Sequence, residues 1–205
     1  MGVAEVAGVN GSWDSFALLL IDVQQDFMTQ EMALAFPAYE SNVTALLDLC
    51  RRENMDIVHL RASFQPDRSD WMAKYHFLGR IPCVDGTPGA ALLDCAVEQP
   101  GETVIVKHSF DGFMNPCLQQ YLDDRNKRYL LVAGLVTSVC VLLTAATAAQ
   151  KGYLVAVVED CCADKPEAHW HTLDRYPFIF DRTTPGQIVS SREQWLANLA
   201  RIGER

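Results

Sequence analysis

The stretch Tyr129-Leu130-Leu131-Val132-Ala133-Gly134-Leu135-Val136-Thr137-Ser138-Val139-Cys140-Val141-Leu142-Leu143-Thr144-Ala145-Ala146-Thr147-Ala148-Ala149-Gln150-Lys151 changes character half-way. Tyr129 to Ala133 is short, apolar and β-prone. The segment from Val141 to Lys151 is too long for one strand and reads as a helix that Gly152 stops. Gly134 to Cys140 is then the turn between them, and Cys140 falls in the first turn of a buried helix, at its positive end. That position favours the thiolate, the nucleophilic form of cysteine. A buried cysteine is also an ordinary packing residue, so other polar residues have to decide between catalysis and packing.

Two further runs end the same way. Phe16 to Ile21 is unbroken and apolar and stops at Asp22; Thr103 to Val106 stops at Lys107. Continuous rather than alternating apolar runs suit strands covered on both faces, as in a parallel sheet between helices. Ligands of such sheets bind beyond the carboxyl ends of the strands. Asp22, Lys107 and Cys140 all occupy such ends, so one crevice can hold an acid, a cation and a thiol.

The rest of the chain fits this rhythm. Helix is expected at about 38–54, 116–125, from 138 onward, at 166–176 and at 192–201, with a short helix at 88–98. Strands are expected at 16–22, 56–60, 103–107, from 129, and at 153–158, with a weaker sixth at about 187–189. Residues 61–86, containing Phe64, Trp71, Tyr75 and Phe77, read as a long irregular connection of the kind that forms lids. Residues 1–14 read as a loose leader. Strands alternating with helices give the α/β class: a doubly wound, six-stranded parallel sheet with helices on both faces, three layers α/β/α, in one domain over 1–205.

Composition limits what the chain can do. Its 205 residues, 49% of them hydrophobic, can bury one substantial core. Lys and Arg number 17 against 26 Asp and Glu, a net charge of −9, and no basic run occurs. That balance opposes a nucleic-acid or anionic-membrane surface. No signal peptide, myristoylation pattern or transmembrane-length run is present, which points to the cytoplasm. Cys50, Cys83, Cys95, Cys117, Cys140, Cys161 and Cys162 show no framework spacing and read as free thiols. Cys161-Cys162 reads as the packed end of a strand.

Four segments carry a family resemblance. Asp22-Val23-Gln24-Gln25-Asp26-Phe27 resembles the D-x-Q-x-D-F opening of the isochorismatase-like cysteine hydrolases. Lys107 with Phe110 to Phe113 is similar to that family's K-x-x-x-(S/D)-(A/G)-F segment, Gly134 to Val141 to its G-x-x-T-x-x-C-V turn, and Gly86 to Ala90 to its G-T-x-G-A motif. The order and spacing agree from about residue 14 to residue 190. The resemblance implies six strands, a catalytic triad of Asp22, Lys107 and Cys140, and an oxyanion site formed by the N–H groups of Val136 and Cys140, with a cis peptide between Leu135 and Val136. The N–H of Cys140 suits that role independently, because the first turn of a helix leaves its donors unpaired.

Asp22 can take the thiol proton and return it to a leaving nitrogen, for which an enclosed site should raise its pKa. Phe27 and Phe113 are expected as pocket walls, Trp71 and Tyr75 as lid residues, and Thr137 and Ser138 as hydrogen-bonding supports, Thr137 also touching substrate. Gln24 and Asp26 are expected to fix the loop after the first strand.

The nicotinamidase branch carries a D-x-H pair after the second strand, where this chain reads Arg61-Ala62-Ser63-Phe64. His76 stands alone, His59 lies within a strand, and His169 and His171 face different directions on one helix. No metal and no other cofactor is expected. Retention of Cys140 favours C–N hydrolysis of a small amide or ureido compound through a thioester. The alternatives are isochorismatase-type vinyl-ether cleavage, a nicotinamidase with an atypical metal site, a catalytically silent scaffold, and a nucleotide-binding domain, which the absence of G-x-G-x-x-G and Walker motifs opposes. The expected partners are a small-molecule substrate and further copies of the chain, as a dimer or tetramer.

Overall fold

A computed structural model describes residues 12–203. The elements in chain order are β1 (Phe16–Ile21), α1 (Gln30–Ala35), α2 (Tyr39–Arg52), β2 (Asp56–Ala62), α3 (Ala73–Leu78), β3 (Thr103–Lys107), α4 (Pro116–Asp124), β4 (Tyr129–Leu135), α5 (Leu142–Gln150), β5 (Leu154–Ala163), α6 (Pro166–Arg175), β6 (Asp181–Thr183) and α7 (Pro185–Arg201). All strand pairs are parallel, in the order β3-β2-β1-β4-β5-β6. Strand order therefore reverses between β1 and β4, the switch point at which α/β sheets open a crevice.

Every residue of β1 and of β4 is buried, as their unbroken apolar runs require. Phe16, Tyr129 and Trp195 of α7 stack at the start of these strands, with ring centroids 5.1 Å apart for Phe16–Tyr129 and 4.8 Å for Tyr129–Trp195. The apolar run of β3 behaves differently. As an edge strand it leaves Val104 and Val106 about two-fifths exposed, at 37% and 40%.

Several elements depart from the sequence expectation. Residues 88–98 form only two 3-10 turns, Pro88–Ala90 and Asp94–Ala96. Their backbone is bonded elsewhere: Ala90 and Ala91 carbonyls accept from Gln24 Nε2 and the Gln25 N–H, and the Leu93 N–H donates to Val23. The sixth strand is Asp181–Thr183, not 187–189, which lie inside α7 behind Pro185. Its three polar residues carry no apolar signal, and Arg182 is held by Glu159 and by Asp174. β5 runs on past Val158 to Ala163, because Cys162 and Ala163 continue the ladder opposite Gly134 and Leu135. This buries Cys161 and Cys162 in the strand, as expected. The short helices α1 and α3 were not anticipated; Thr29 caps the first and Gly79, at φ +68°, ends the second. Of the expected leader, residues 1–11 lie outside the described residues, while Trp13 is buried and donates to Glu53.

Glu102, just before β3, gathers a network. It accepts from Arg51 Nε of α2 at 2.7 Å and from the Gln99 N–H at 2.9 Å, and pairs with His59 of β2 at 2.8 Å. Burial opposes the Glu102 charge, yet Arg51, the Gln99 N–H and His59 together bring its pKa from 4.5 to about 2. Burial also lowers His59, against the pull of Glu102, so this partner is a neutral hydrogen-bonding imidazole near pH 7.

A depressed folded-state pKa contributes stability that is present above the unfolded value of 4.5 and is lost as pH falls through 4.5 toward 2. Glu102→Gln is accordingly expected to lose about 2 kcal/mol at pH 7. Denaturant titrations should show that deficit shrinking as the pH falls from 5 toward about 2. A deficit unchanged over that range would remove the charge from the explanation.

Candidate active site

Three strand ends build the site. Asp22 follows β1 at φ +50°, a conformation uncommon outside glycine. Lys107 closes β3, and Cys140 lies in a π-helical turn, Thr137–Val141, that leads from β4 into α5. The chain can pass closely between β4 and β1 because residue 134 is glycine. Its φ is +125°, and a Cβ there would lie 1.9 Å from the Ile21 carbonyl oxygen. The next peptide, Leu135–Val136, is cis, as the resemblance implied.

Asp22 and Lys107 are 0% and 1% exposed at the side chain, and Lys107 Nζ lies 2.7 Å from Asp22 Oδ2. The same Nζ donates to the Ser109 carbonyl at 2.7 Å. The Cys140 thiol, 4% exposed, faces this pair. Burial raises the pKa of Asp22, and the Lys107 charge and the Cys140 thiol oppose the rise. Burial is also the largest influence on Cys140. It raises the thiol, the Asp22 charge adds to the rise, and Lys107 opposes it. The pull of the helix end toward thiolate is thus opposed: burial, the largest influence, pushes the Cys140 thiol up.

All three groups line one cavity of about 230 Å³. Phe27 and Tyr75 line it, and Val136 contributes beside Cys140. Three expected contacts fall outside. Phe113 packs in the core against Tyr153, 6.0 Å between centroids, and the aromatic wall on that side is Phe110. Trp71 turns its indole N–H to the Gln65 carbonyl and packs against the small cluster of Ala62, Phe64, Ile81 and Cys83. Thr137 is buried on the far side of its turn, with Oγ1 2.8 Å from His169 Nδ1.

Sequence reasoning missed Ala62, Phe64, Met72, Pro82, Ser109, Phe110 and Val139 in the lining. The strand-end rule that selected Asp22 also reaches Ala62, the last residue of β2. Phe64, Met72 and Pro82 lie in the 61–86 connection read as a lid, and nothing local marks Ser109, Phe110 or Val139.

Supports behind the site hold the loops. Gln24 accepts from the Ala62 N–H at 3.0 Å and donates to the Ala62 and Ala90 carbonyls at 2.9 Å. Asp26 Oδ2 accepts from the Cys83 N–H at 2.7 Å, in a space that a Cβ on Gly89 would fill. Both residues therefore fasten the loop after β1, as expected. The nucleophile turn has an anchor that the sequence did not reveal. At the end of β5, Asp164 accepts from Ser138 N–H at 2.8 Å, from Ser138 Oγ at 2.6 Å, and from the Lys165 N–H at 2.7 Å. Burial lowers the pKa of His169 to about 4, so Thr137 meets a neutral ring.

Among the described residues, no group of three or more His, Cys, Asp or Glu side chains could hold a metal ion. The donor set of the nicotinamidase branch does not fit here. Among the described residues, no helix is long and apolar enough to cross a membrane.

The sequence profile of the isochorismatase domain matches residues 16–176. The chain belongs to the isochorismatase family. It is 30% identical over 194 residues to the maleamate amidohydrolase of Pseudomonas putida, spanning 90% of this chain and 88% of that one. It is 30% identical over 177 residues to the nicotinamidase of Escherichia coli, spanning 71% and 82%. A solved structure of an isochorismatase family protein from Desulfovibrio vulgaris superposes with a TM-score of 0.76 at 28% identity, covering 86% of this chain and 97% of that one. This protein is by kinship an isochorismatase-family hydrolase.

Removing the Asp164 acceptor takes the partner from the Ser138 N–H and hydroxyl in a part-buried turn. Asp164→Ala is expected to lower the unfolding free energy by about 2–4 kcal/mol. Asp164→Asn keeps one acceptor oxygen and should cost less. Urea titrations that place Asp164→Ala level with the unaltered protein would show that the turn holds without this carboxylate.

Proposed function

We propose that this protein is a cysteine-dependent amidohydrolase that cleaves the C–N bond of a small amide or ureido compound through a thioester. The observation that carries this reading is the Asp22–Lys107 pair, 2.7 Å apart and out of water, facing the buried Cys140 side chain at the switch point of the sheet. The kinship with a maleamate amidohydrolase and a nicotinamidase supports it.

Asp22 takes the proton from Cys140 Sγ as the sulfur attacks the substrate carbonyl carbon and a C–S bond forms. Charge collects on the carbonyl oxygen, which the N–H groups of Val136 and Cys140 stabilise. Asp22 then delivers its proton to the leaving nitrogen, the C–N bond breaks, and ammonia or an amine departs. Water attacks the thioester carbon and gives its proton to Asp22. The C–S bond breaks, and the proton returns to sulfur. A raised Asp22 pKa suits both directions of this shuttle, and Lys107 balances whichever of the two groups carries the negative charge. The three groups titrate as one unit, so the apparent pKa values belong to the set. Phe27 and Tyr75 wall the substrate. No step requires a metal.

Ammonia release measured beside pyruvate release separates C–N hydrolysis from vinyl-ether cleavage. Cys140→Ala is expected to abolish turnover. Asp22→Asn and Lys107→Ala should each reduce it by about a hundredfold to ten-thousandfold, and the losses should not add to that of Cys140→Ala. Intact-mass spectrometry during turnover should find the acyl group on Cys140. Dialysis against EDTA should leave the rate unchanged. In the free protein, iodoacetamide labelling of Cys140 should rise into the alkaline range, and Lys107→Ala should move that rise higher. Near-normal turnover in Lys107→Ala with an unmoved labelling profile would dismantle the triad.

A further inference from the structure

The cavity that holds Cys140 is walled by Phe27, Phe64, Met72, Tyr75, Phe110 and Val139. Among its described lining residues only Asp22 and Lys107 carry charge. The Lys107 cation is already committed, at 2.7 Å to the Asp22 carboxylate and 2.7 Å to the Ser109 carbonyl, both out of water. Arg80 borders an adjoining groove, which shares Tyr75 and Pro82 with the cavity, and does not reach the lining. The chain as a whole carries a net charge of −9. A carboxylate on the acyl half of a substrate would thus lose its water, find no free cation, and lie beside Asp22. A desolvated and unpaired anion is strongly disfavoured. An uncharged apolar group gains from the same walls, and the rings of Tyr75 and Phe110, with centroids 6.3 Å apart, offer it flat contact surfaces. The volume, about 230 Å³, is below that of pockets for drug-sized ligands.

Resting on the amidase reading, we infer that the substrates are primary or simple amides of small uncharged apolar acyl groups, aryl or branched alkyl, and that amides bearing a second carboxylate are excluded. The substrate named in the maleamate amidohydrolase relative carries such a carboxylate, so the specificity of this chain parts from that of a protein 30% identical to it. Phe110, exposed at 37%, is the wall position at which a cation would reverse the preference.

The test compares benzamide and isobutyramide with maleamate and succinamate. The unaltered protein is expected to favour the uncharged pair by at least about a hundredfold in kcat/KM, a ratio within reach of polar mismatch in an apolar site. Calorimetry on Cys140→Ala, which cannot turn over, should detect benzamide and find maleamate at least about thirtyfold weaker. Phe110→Arg, at a partly exposed position where folding is checked by thermal melting, should shift the maleamate-to-benzamide ratio by about tenfold or more. Equal or preferred maleamate in either assay, no binding of benzamide by Cys140→Ala, or an unmoved ratio in Phe110→Arg would overturn the inference and leave the amidase reading standing. Ammonia from none of the four amides, with benzamide still preferred in calorimetry, would instead overturn the amidase reading and uphold the cavity's preference.

Discussion

Taking Asp22 and Lys107 out of water together is the constraint on which the other parts of the site depend. The two residues leave β1 and β3, which are separated in the sheet by β2, so the pair closes over the end of the middle strand. Two such ions incur a desolvation penalty of several kcal/mol each, which only close geometry and further hydrogen bonds offset. The structure supplies both: a 2.7 Å separation and the Ser109 carbonyl at 2.7 Å from the same nitrogen. Gln24 then locks the loop after β1 to the end of β2 through both its amide oxygen and its amide nitrogen. If β1 and β2 slipped relative to each other, Asp22 would be left unpaired in an apolar cavity.

The same burial sets the state of the sulfur. A helix N-terminus and a lysine would each favour thiolate, yet Cys140 is pushed up, with burial as the largest cause and the Asp22 charge next. Burial raises both the Asp22 carboxyl and the Cys140 thiol, and Lys107 opposes both shifts. Such a pair suits a nucleophile that becomes anionic only when a carbonyl is present to receive it. A thiol held away from its thiolate form is also less open to oxidation.

Much of this was legible from the sequence, because strand ends are legible. Unbroken apolar runs placed β1, β3 and β4, and the polar residue that ends each run or follows its turn is a residue of the site. What the sequence withheld was decided by distant backbone. Residues 88–98 have helical spacing, but Gln24, Gln25 and Val23 take their donors and acceptors. β6 is three polar residues whose strand character comes from pairing with Ala156, Val157 and Val158. Phe110 and Phe113 are alike as residues; the turn at Asp111, whose carboxylate accepts from the Phe113 N–H and from Thr147, sends Phe113 inward to the core. Asp164 reads as one more acid after a strand until its three donors are seen.

Chemistry and selection therefore sit on different kinds of structure. The reacting groups are at the ends of strands whose register is fixed by core packing. Much of the wall comes from residues 64–82 and 109–110, segments with little regular structure beyond α3. Bonds that tie them down include the Phe64 N–H to Cys83, the Asp85 N–H to Phe64, Asp26 to the Cys83 N–H, the His108–Asp70 pair and Lys107 to the Ser109 carbonyl. Loops tolerate substitution where strands do not, so the walls can change their chemistry while Asp22, Lys107 and Cys140 keep theirs. A family likeness written in the strand ends thus carries the reaction type further than it carries the substrate. For this chain the substrate has to be read from Tyr75, Phe110 and the lack of an uncommitted cation among the described residues beside them.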